Sequence, residues 1–153
     1  MPFKYEMEHV CTYRATLSAP EVIGALPNDI RANFYVTGGE VWGPKLRGKV
    51  RAVGGDWLTL RPDGVCVLDV HATLESHDGA LIDVRYNGIL DLGTDGYAGF
   101  LRGDLPAMVK IYAAPLMRTA HPDYAWVNRK QFVNIGEAKL LENQVTYDVY
   151  AVN

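Results

Sequence analysis

Between Gly54 and Asn87 polar and apolar residues alternate almost without interruption, and two turn signals cut the alternation into three runs. Side chains along a strand point to opposite faces with a period of two, so the runs read as three strands joined by two hairpins. Arg61-Pro62-Asp63-Gly64 fits a type I turn closed by a glycine in the left-handed conformation. That three-residue loop pairs Arg61 with Val65, Thr59 with Val67 and Trp57 with Asp69. Asp78-Gly79 reads as a two-residue loop, and counting outward from it sets Glu75 opposite Ile82, Thr73 opposite Val84, His71 opposite Tyr86 and Asp69 opposite Gly88.

Cross-strand partners share a face, so the two registers combine on their common central strand. One face collects Trp57, Thr59, Arg61, Val65, Val67, Asp69, His71, Thr73, Val84, Tyr86 and Gly88. The other takes Leu58, Leu60, Cys66, Leu68, Val70, Ala72, Leu74, Asp83, Arg85 and Asn87. Both carry apolar residues and some charge, so alternation alone leaves open which one lines an interior. A one-residue slip in either turn would move a whole flanking strand to the other side.

The remaining chain has the same character. Phe3 to Leu17 reads as an opening strand, Pro20 to Arg31 holds at most a turn or two of helix around Gly24 and Pro27, and Phe34 to Thr37 is a short strand running into Gly38-Gly39. Leu46 to Val53 resumes the alternation. Tyr97 to Arg102 pairs back on Asn87 to Leu92, Val109 to Arg118 forms a strand, Thr119 to Asp123 is a loop, and Gln131 to Leu141 and Gln144 to Val152 close the chain. Many strands with short turns and almost no helical period indicate one antiparallel all-β domain over residues 1–153, and closure into a β-barrel removes its edges most simply.

Composition narrows the classes of function. The 153 residues carry a formal charge of −3 with no run of lysine or arginine, so the electrostatic footprint for nucleic acid or an anionic membrane is missing. No apolar run approaches the ~20 residues of a membrane-spanning helix and the first residues lack the apolar segment of a secretory signal, which points to the cytosol. Two cysteines, Cys11 and Cys66, each inside a strand-like run, indicate reduced thiols rather than a disulfide scaffold. His9, His71, His77 and His121 show no metal-ligand spacing, no glycine-rich loop opens a helix, and no Gly-x-Ser-x-Gly elbow is present. We therefore expect neither a metal nor a cofactor.

The mixed face carries the candidate chemistry. Asp69 and His71 lie two apart on one strand, so an imidazole and a carboxylate share one side and could do general acid/base work. Tyr86, opposite His71, would be a second proton donor, and Arg61 would stabilise an oxyanion with its planar fork. Trp57, Thr59 and Trp126 would line a substrate pocket, with Arg118, Tyr124 and Asn128 at the mouth. Each has a plainer reading: Asp69 and His71 on a solvated or subunit-facing surface, Arg61 in an ion pair, the aromatics as core, and Arg118, Tyr124 and Asn128 satisfying loop backbone groups.

Gly39, Gly43-Pro44, Leu46, Gly48, Gly54-Gly55-Asp56-Trp57, Arg61-Pro62-Asp63-Gly64, Leu68-Asp69, Asp78-Gly79, Ile82, Gly88, Arg118-Thr119 and Tyr124 to Asn128 together resemble the family known as domain of unknown function 3237. The resemblance spans nearly the whole chain. It implies a small β-barrel of the calycin or allene-oxide-cyclase-like kind, a homo-oligomer such as a dimer or tetramer, and polar residues turned into a central cavity.

These features lead us to expect a cofactor-independent enzyme of secondary metabolism or aromatic catabolism, a lyase or isomerase that cyclises, hydrates, dehydrates or isomerises a small hydrophobic oxygenated or aromatic substrate. The alternative is a non-catalytic, lipocalin-like binding protein for hydrophobic small molecules.

Overall fold

Eleven strands account for most of the chain in the computed structural model, which describes residues 1–153. They are β1 (Met7–Leu17), β2 (Glu21–Ala25), β3 (Ile30–Trp42), β4 (Gly48–Val50), β5 (Gly55–Leu60), β6 (Val65–Ser76), β7 (Leu81–Asp91), β8 (Met108–Ala113), β9 (Leu116–Arg118), β10 (Gln131–Lys139) and β11 (Gln144–Val152). All pairings are antiparallel. The order β6-β5-β3-β1-β11-β10-β8-β7 returns on itself through β6–β7, which closes an eight-stranded barrel. The all-β barrel expected from the alternation is therefore the fold.

Closure is driven by the Leu-rich face. Leu58, Leu60, Cys66, Leu68, Val70, Leu74, Ile82, Val84 and Leu90 are buried and join Val10, Ile30, Phe132, Tyr147 and Val149 in one core. Each such side chain contributes roughly 1.5–3 kcal/mol relative to exposure, so the chain gains far more by turning this face inward than the mixed one.

The first hairpin has the expected register, with Thr59 opposite Val67 and Leu60 opposite Cys66. The second is shifted by one. Ser76 closes on Ala80 and the Gly79 N–H on the Ser76 carbonyl, both at 2.9 Å, so the loop holds three residues, His77 to Gly79, instead of two. The Ser76 hydroxyl explains the wider loop: it accepts the Ala80 N–H at 2.8 Å and donates to the Asp78 carboxylate. Consequently Glu75 faces Leu81, Thr73 faces Asp83, Asp69 faces Asn87 and His71 faces Arg85.

Other departures have local causes. Glu21–Ala25 is a strand paired to β3, in the stretch expected to hold at most a turn or two of helix, and β3 continues through Gly38-Gly39 to Trp42. Gly96–Arg102 is a short α-helix, α1, ended by Gly103 in the left-handed conformation, where a strand was expected. Pro115 splits the expected strand over Val109 to Arg118 into β8 and β9, and Pro122–Arg129 is a 3₁₀ helix capped by His121.

The two hairpin glycines allow backbone strain and steric clash to be separated. Gly64 and Gly79 share nearly the same φ, +90° and +89°, but a Cβ on Gly64 would sit 1.7 Å from the Gly93 carbonyl oxygen while one on Gly79 meets nothing within 4 Å. Gly79→Ala is expected to cost about 1 kcal/mol in urea unfolding and Gly64→Ala about 3 kcal/mol or more. Equal losses would contradict this assignment.

Candidate active site

The interior is not filled completely. A narrow hollow, about 40 Å³ in volume, runs between Tyr13, Ala15 and Leu17 of β1, Val36 of β3, Gly55 and Asp56 of β5, Val70 and Ala72 of β6, Val84 and Tyr86 of β7, and Val145 and Tyr147 of β11. Leu17, Ala72 and Val145 are half-buried and mark the side nearest solvent. β4 and β5 occupy successive halves of the slot between β3 and β6, and residues 51–54 cross between them, held to β3 by the Val36 N–H on the Gly54 carbonyl at 3.0 Å and to β6 by the Arg51 N–H on the Thr73 carbonyl at 2.9 Å.

The polar groups in this apolar lining are one carboxylate and three phenols. Alternation puts Asp56 on the inner face with Leu58 and Leu60. Its Oδ1 accepts the main-chain N–H of Asp69 at 2.9 Å. Paired positions between β5 and β6 comprise Gly55, Asp56, Thr59 and Leu60 but skip Trp57 and Leu58, so the carboxylate takes a main-chain donor at a gap in the pairing. Burial pushes the Asp56 carboxyl up to about 6; the Asp69 N–H and the Arg31 charge work against that, and the nearby Asp69 carboxylate adds to it.

The phenols form a directed chain. Asn134, with no exposed surface, donates its Nδ2 to the Tyr13 hydroxyl at 3.2 Å, and Tyr13 donates to the Tyr86 hydroxyl at 3.1 Å. Tyr147 packs edge-on to Tyr86, with ring centroids 5.9 Å apart. Burial raises all three phenols, Tyr13 and Tyr147 well above the usual phenol value and Tyr86 to about 12, the hydrogen bond from Tyr13 partly offsetting the burial of Tyr86. Tyr86 accepts the Tyr13 hydroxyl, so its own proton is not committed to that bond.

The expected site is largely on the outside. Asp69 and His71 are exposed, His71 lying edge-on to the outward Trp57 at 6.0 Å, so the acid/base pair on the mixed face does not look into the barrel. Arg61 pairs with Asp63 at 2.6 Å across its own turn, and Thr59 accepts from Arg31 on the outer wall. The cause is energetic: enclosing His71, Asp69 and Arg61 would desolvate them and expose seven apolar partners on the same strands. Tyr86 alone of the four proposed catalytic residues lies in the hollow, and it reaches it through the shifted register, opposite Val70 rather than His71.

The proposed mouth residues Arg118, Tyr124 and Asn128, and the proposed wall residue Trp126, are engaged elsewhere. Arg118 binds Asp83 at 2.7 Å, Tyr124 donates to Asp78 at 2.8 Å, Asn128 bonds the Thr119 backbone in both directions, and Trp126 packs on Phe132 under Lys45. Missing from the expected site were Asp56, Tyr13 and Tyr147. Asp56 stands directly beside Trp57 and, by strict alternation, on the Leu58 side, which was a signal available in the sequence. No group of three or more His, Cys, Asp or Glu side chains is placed to hold a metal, and no helix is long and apolar enough to cross a membrane.

An eight-stranded antiparallel barrel enclosing a carboxylate and hydrogen-bonded phenols defines the class. The chain belongs to the family described as protein of unknown function DUF3237, whose model matches residues 5–152. It is similar to a UPF0311 protein of Rhodopseudomonas palustris, 28% identical over 149 residues and 96% of each chain. A crystal structure of a protein with unknown function from Clostridium acetobutylicum superposes with a TM-score of 0.88 at 25% identity, covering 98% of this chain and 100% of that one. A crystal structure described as an enzyme from Penicillium herquei shares the fold with a TM-score of 0.73 at 20% identity, covering 100% and 98%.

Asp56 makes stability depend on pH with a definite sign. The folded chain holds this proton more tightly than the unfolded one, so its contribution is complete below pH ~4 and is lost as pH rises through about 6. A rise from 3.8 to about 6 corresponds to roughly 3 kcal/mol. Asp56→Asn keeps an acceptor for the Asp69 N–H and removes the buried charge. Chemical unfolding at pH 4 and 7.5 should show the variant up to ~3 kcal/mol more stable than the parent at pH 7.5, with the advantage gone at pH 4. A variant less stable at pH 7.5 would mean that the carboxylate is not desolvated.

Proposed function

We propose that the protein is a cofactor-independent enzyme that moves protons on a small, neutral, oxygenated hydrophobic substrate inside the barrel. The observation that supports it most directly is that Asp56 and the Tyr13–Tyr86–Tyr147 cluster line the same otherwise apolar hollow. A carboxyl held near 6 is mostly ionised at neutral pH yet more basic than an ordinary one, which suits a general base. A phenol whose proton is free can donate to the oxygen on which negative charge builds.

In this reading the Asp56 carboxylate takes a proton from a carbon next to a carbonyl, or from a hydroxyl. Tyr86 donates to the substrate oxygen, and Tyr13 donates to Tyr86 as its charge grows. Return of the proton to another carbon completes an isomerisation. Where the proton comes instead from an internal hydroxyl or from water, that oxygen adds to a C=C bond conjugated with the carbonyl, Tyr86 stabilises the enolate oxygen and Asp56 returns the proton to the α-carbon. This completes a cyclisation or hydration, and the reverse, with the hydroxyl leaving as water, is a dehydration. Tyr13 and Tyr86 present hydroxyls to one another, and Tyr147 meets both through its ring, which favours an oxyanion over a cationic guest. No lysine or arginine lines the hollow, so a permanently anionic substrate has no counter-charge there. A ring-sized guest requires the wall near residues 51–54 to widen, since the free volume is small.

A carrier would use the same hollow. It would gain nothing from a buried carboxylate that costs on the order of 3 kcal/mol at neutral pH, whereas a base requires one. The free, buried thiols of Cys11 and Cys66 are compatible with a reducing compartment and support the cytosol as the proposed location.

Deuterium exchange into enolisable ketones tests the proposal without knowledge of the natural substrate. With cyclohexanone and 2-tetralone in D₂O, mass spectrometry should show exchange catalysed by the parent protein, with a rate rising through pH 6. Asp56→Asn is expected to reduce it ~10³-fold and Tyr86→Phe ~10–10²-fold, while His71→Ala leaves it unchanged. Exchange that survives Asp56→Asn, or falls with His71→Ala, would overturn the assignment of the base.

A further inference from the structure

A buried amide stands behind the hydroxyl chain. Asn134 lies on β10 between Val149 of β11 and Ala113 of β8, has no exposed surface and does not line the hollow. Its Nδ2 donates to the Tyr13 hydroxyl at 3.2 Å, while its Oδ1 has no hydrogen-bond partner. An acceptor buried without a partner opposes folding, and leucine, branched at the same atom, would bury no unpaired group in its place. The one bond that the amide does make is therefore the feature to explain.

That bond has a direction. An amide N–H can only donate, and a phenol carries a single proton. The Tyr13 hydroxyl has two hydrogen-bond partners, Asn134 and the Tyr86 hydroxyl at 3.1 Å. A Tyr13 proton aimed at Asn134 would meet the amide hydrogen, so it points to Tyr86 instead, and the Tyr86 proton is in turn kept off Tyr13. Two phenols alone have no such preference, because either can donate to the other.

We propose that Asn134 is a positioning residue that sets the direction of the hydroxyl chain, so that Tyr86 presents its proton to the guest. This role rests on the proton-transfer reading of the hollow and extends that chemistry to a side chain outside it. Accepting from Asn134 also polarises the Tyr13 hydroxyl, and a polarised donor supports the Tyr86 oxygen more strongly as charge builds there.

Two measurements on the full chain test it. A neutron structure of the guest-free parent should place the Tyr13 deuterium toward Tyr86 and an Asn134 deuterium toward Tyr13. A Tyr13 deuterium directed at Asn134, or a Tyr86 deuterium directed at Tyr13, overturns the proposal whether or not any ketone turns over. In the exchange of 2-tetralone, Asn134→Leu should lower kcat about 5-fold with KM unchanged. In a Tyr13→Phe background the same substitution should change kcat less than about 1.5-fold, because the amide acts only through that hydroxyl. A parental kcat in Asn134→Leu, or a loss that persists without the Tyr13 hydroxyl, overturns the positioning role. Absence of exchange in the parent would instead reject the proton-transfer reading, and the neutron structure would still decide the direction of the chain. If Asn134→Leu does not fold, Asn134→Ala is measured in its place by the same criteria.

Discussion

The eleven-residue register between β6 and β7 is the constraint on which the molecule depends. It runs from Val65 opposite Asp91 to Glu75 opposite Leu81, and it is the pairing that turns a path of strands into a ring. With Leu68, Val70 and Leu74 of β6 facing inward, antiparallel pairing commits Ile82, Val84, Tyr86 and Leu90 of β7 to the same side. A shift by one would put Asp83, Arg85 and Asn87 into the core, at a cost in desolvated polar groups far beyond what a turn can offset. The three-residue loop held by Ser76 is the local geometry that agrees with this global demand. Turn and core point to the same register.

The architecture was legible because it rests on signals that the chain repeats. Alternation, turn residues and the lack of a helical period are each present many times, and no single error among them changes the fold class. The hairpin at Arg61 to Val65 was legible for a related reason: Pro62 and Gly64 together specify one loop. At Asp78-Gly79 two loop lengths fit the dipeptide, and the choice is made by the Ser76 hydroxyl, whose partners Asp78 and Ala80 become evident only once the chain is folded.

The candidate site was less legible, because chemically rich residues on one face look like a site whichever way that face points. His71, Asp69, Arg61 and Trp57 do share a face, but it is the outer one, where Trp57 lies between Tyr35 and His71 and the charges remain hydrated. The inner face announces itself poorly. Its polar members are widely separated in sequence, with Tyr13 near the start, Asp56 and Tyr86 in the middle, and Asn134 and Tyr147 near the end, and only closure of β1 between β3 and β11 brings Tyr13 to Tyr86 and Asn134. A carboxylate beside Leu58 and Leu60 on a strand is a local inconsistency with the apolar inner face, and the proposed function rests on it.

Asp56 shows how the barrel tolerates that inconsistency. Its carboxylate occupies a gap in the β5–β6 pairing, at Trp57 and Leu58, and takes the Asp69 N–H at 2.9 Å. One charge-assisted bond from the wall itself offsets part of the desolvation, and it also fixes where the oxygen sits, because a main-chain donor in the middle of a strand cannot swing away. In the proposed mechanism the second carboxylate oxygen is the one that meets a guest. Rigidity on one oxygen and freedom on the other is what a positioned base would need, and both follow from the gap in the β5–β6 pairing at Trp57 and Leu58.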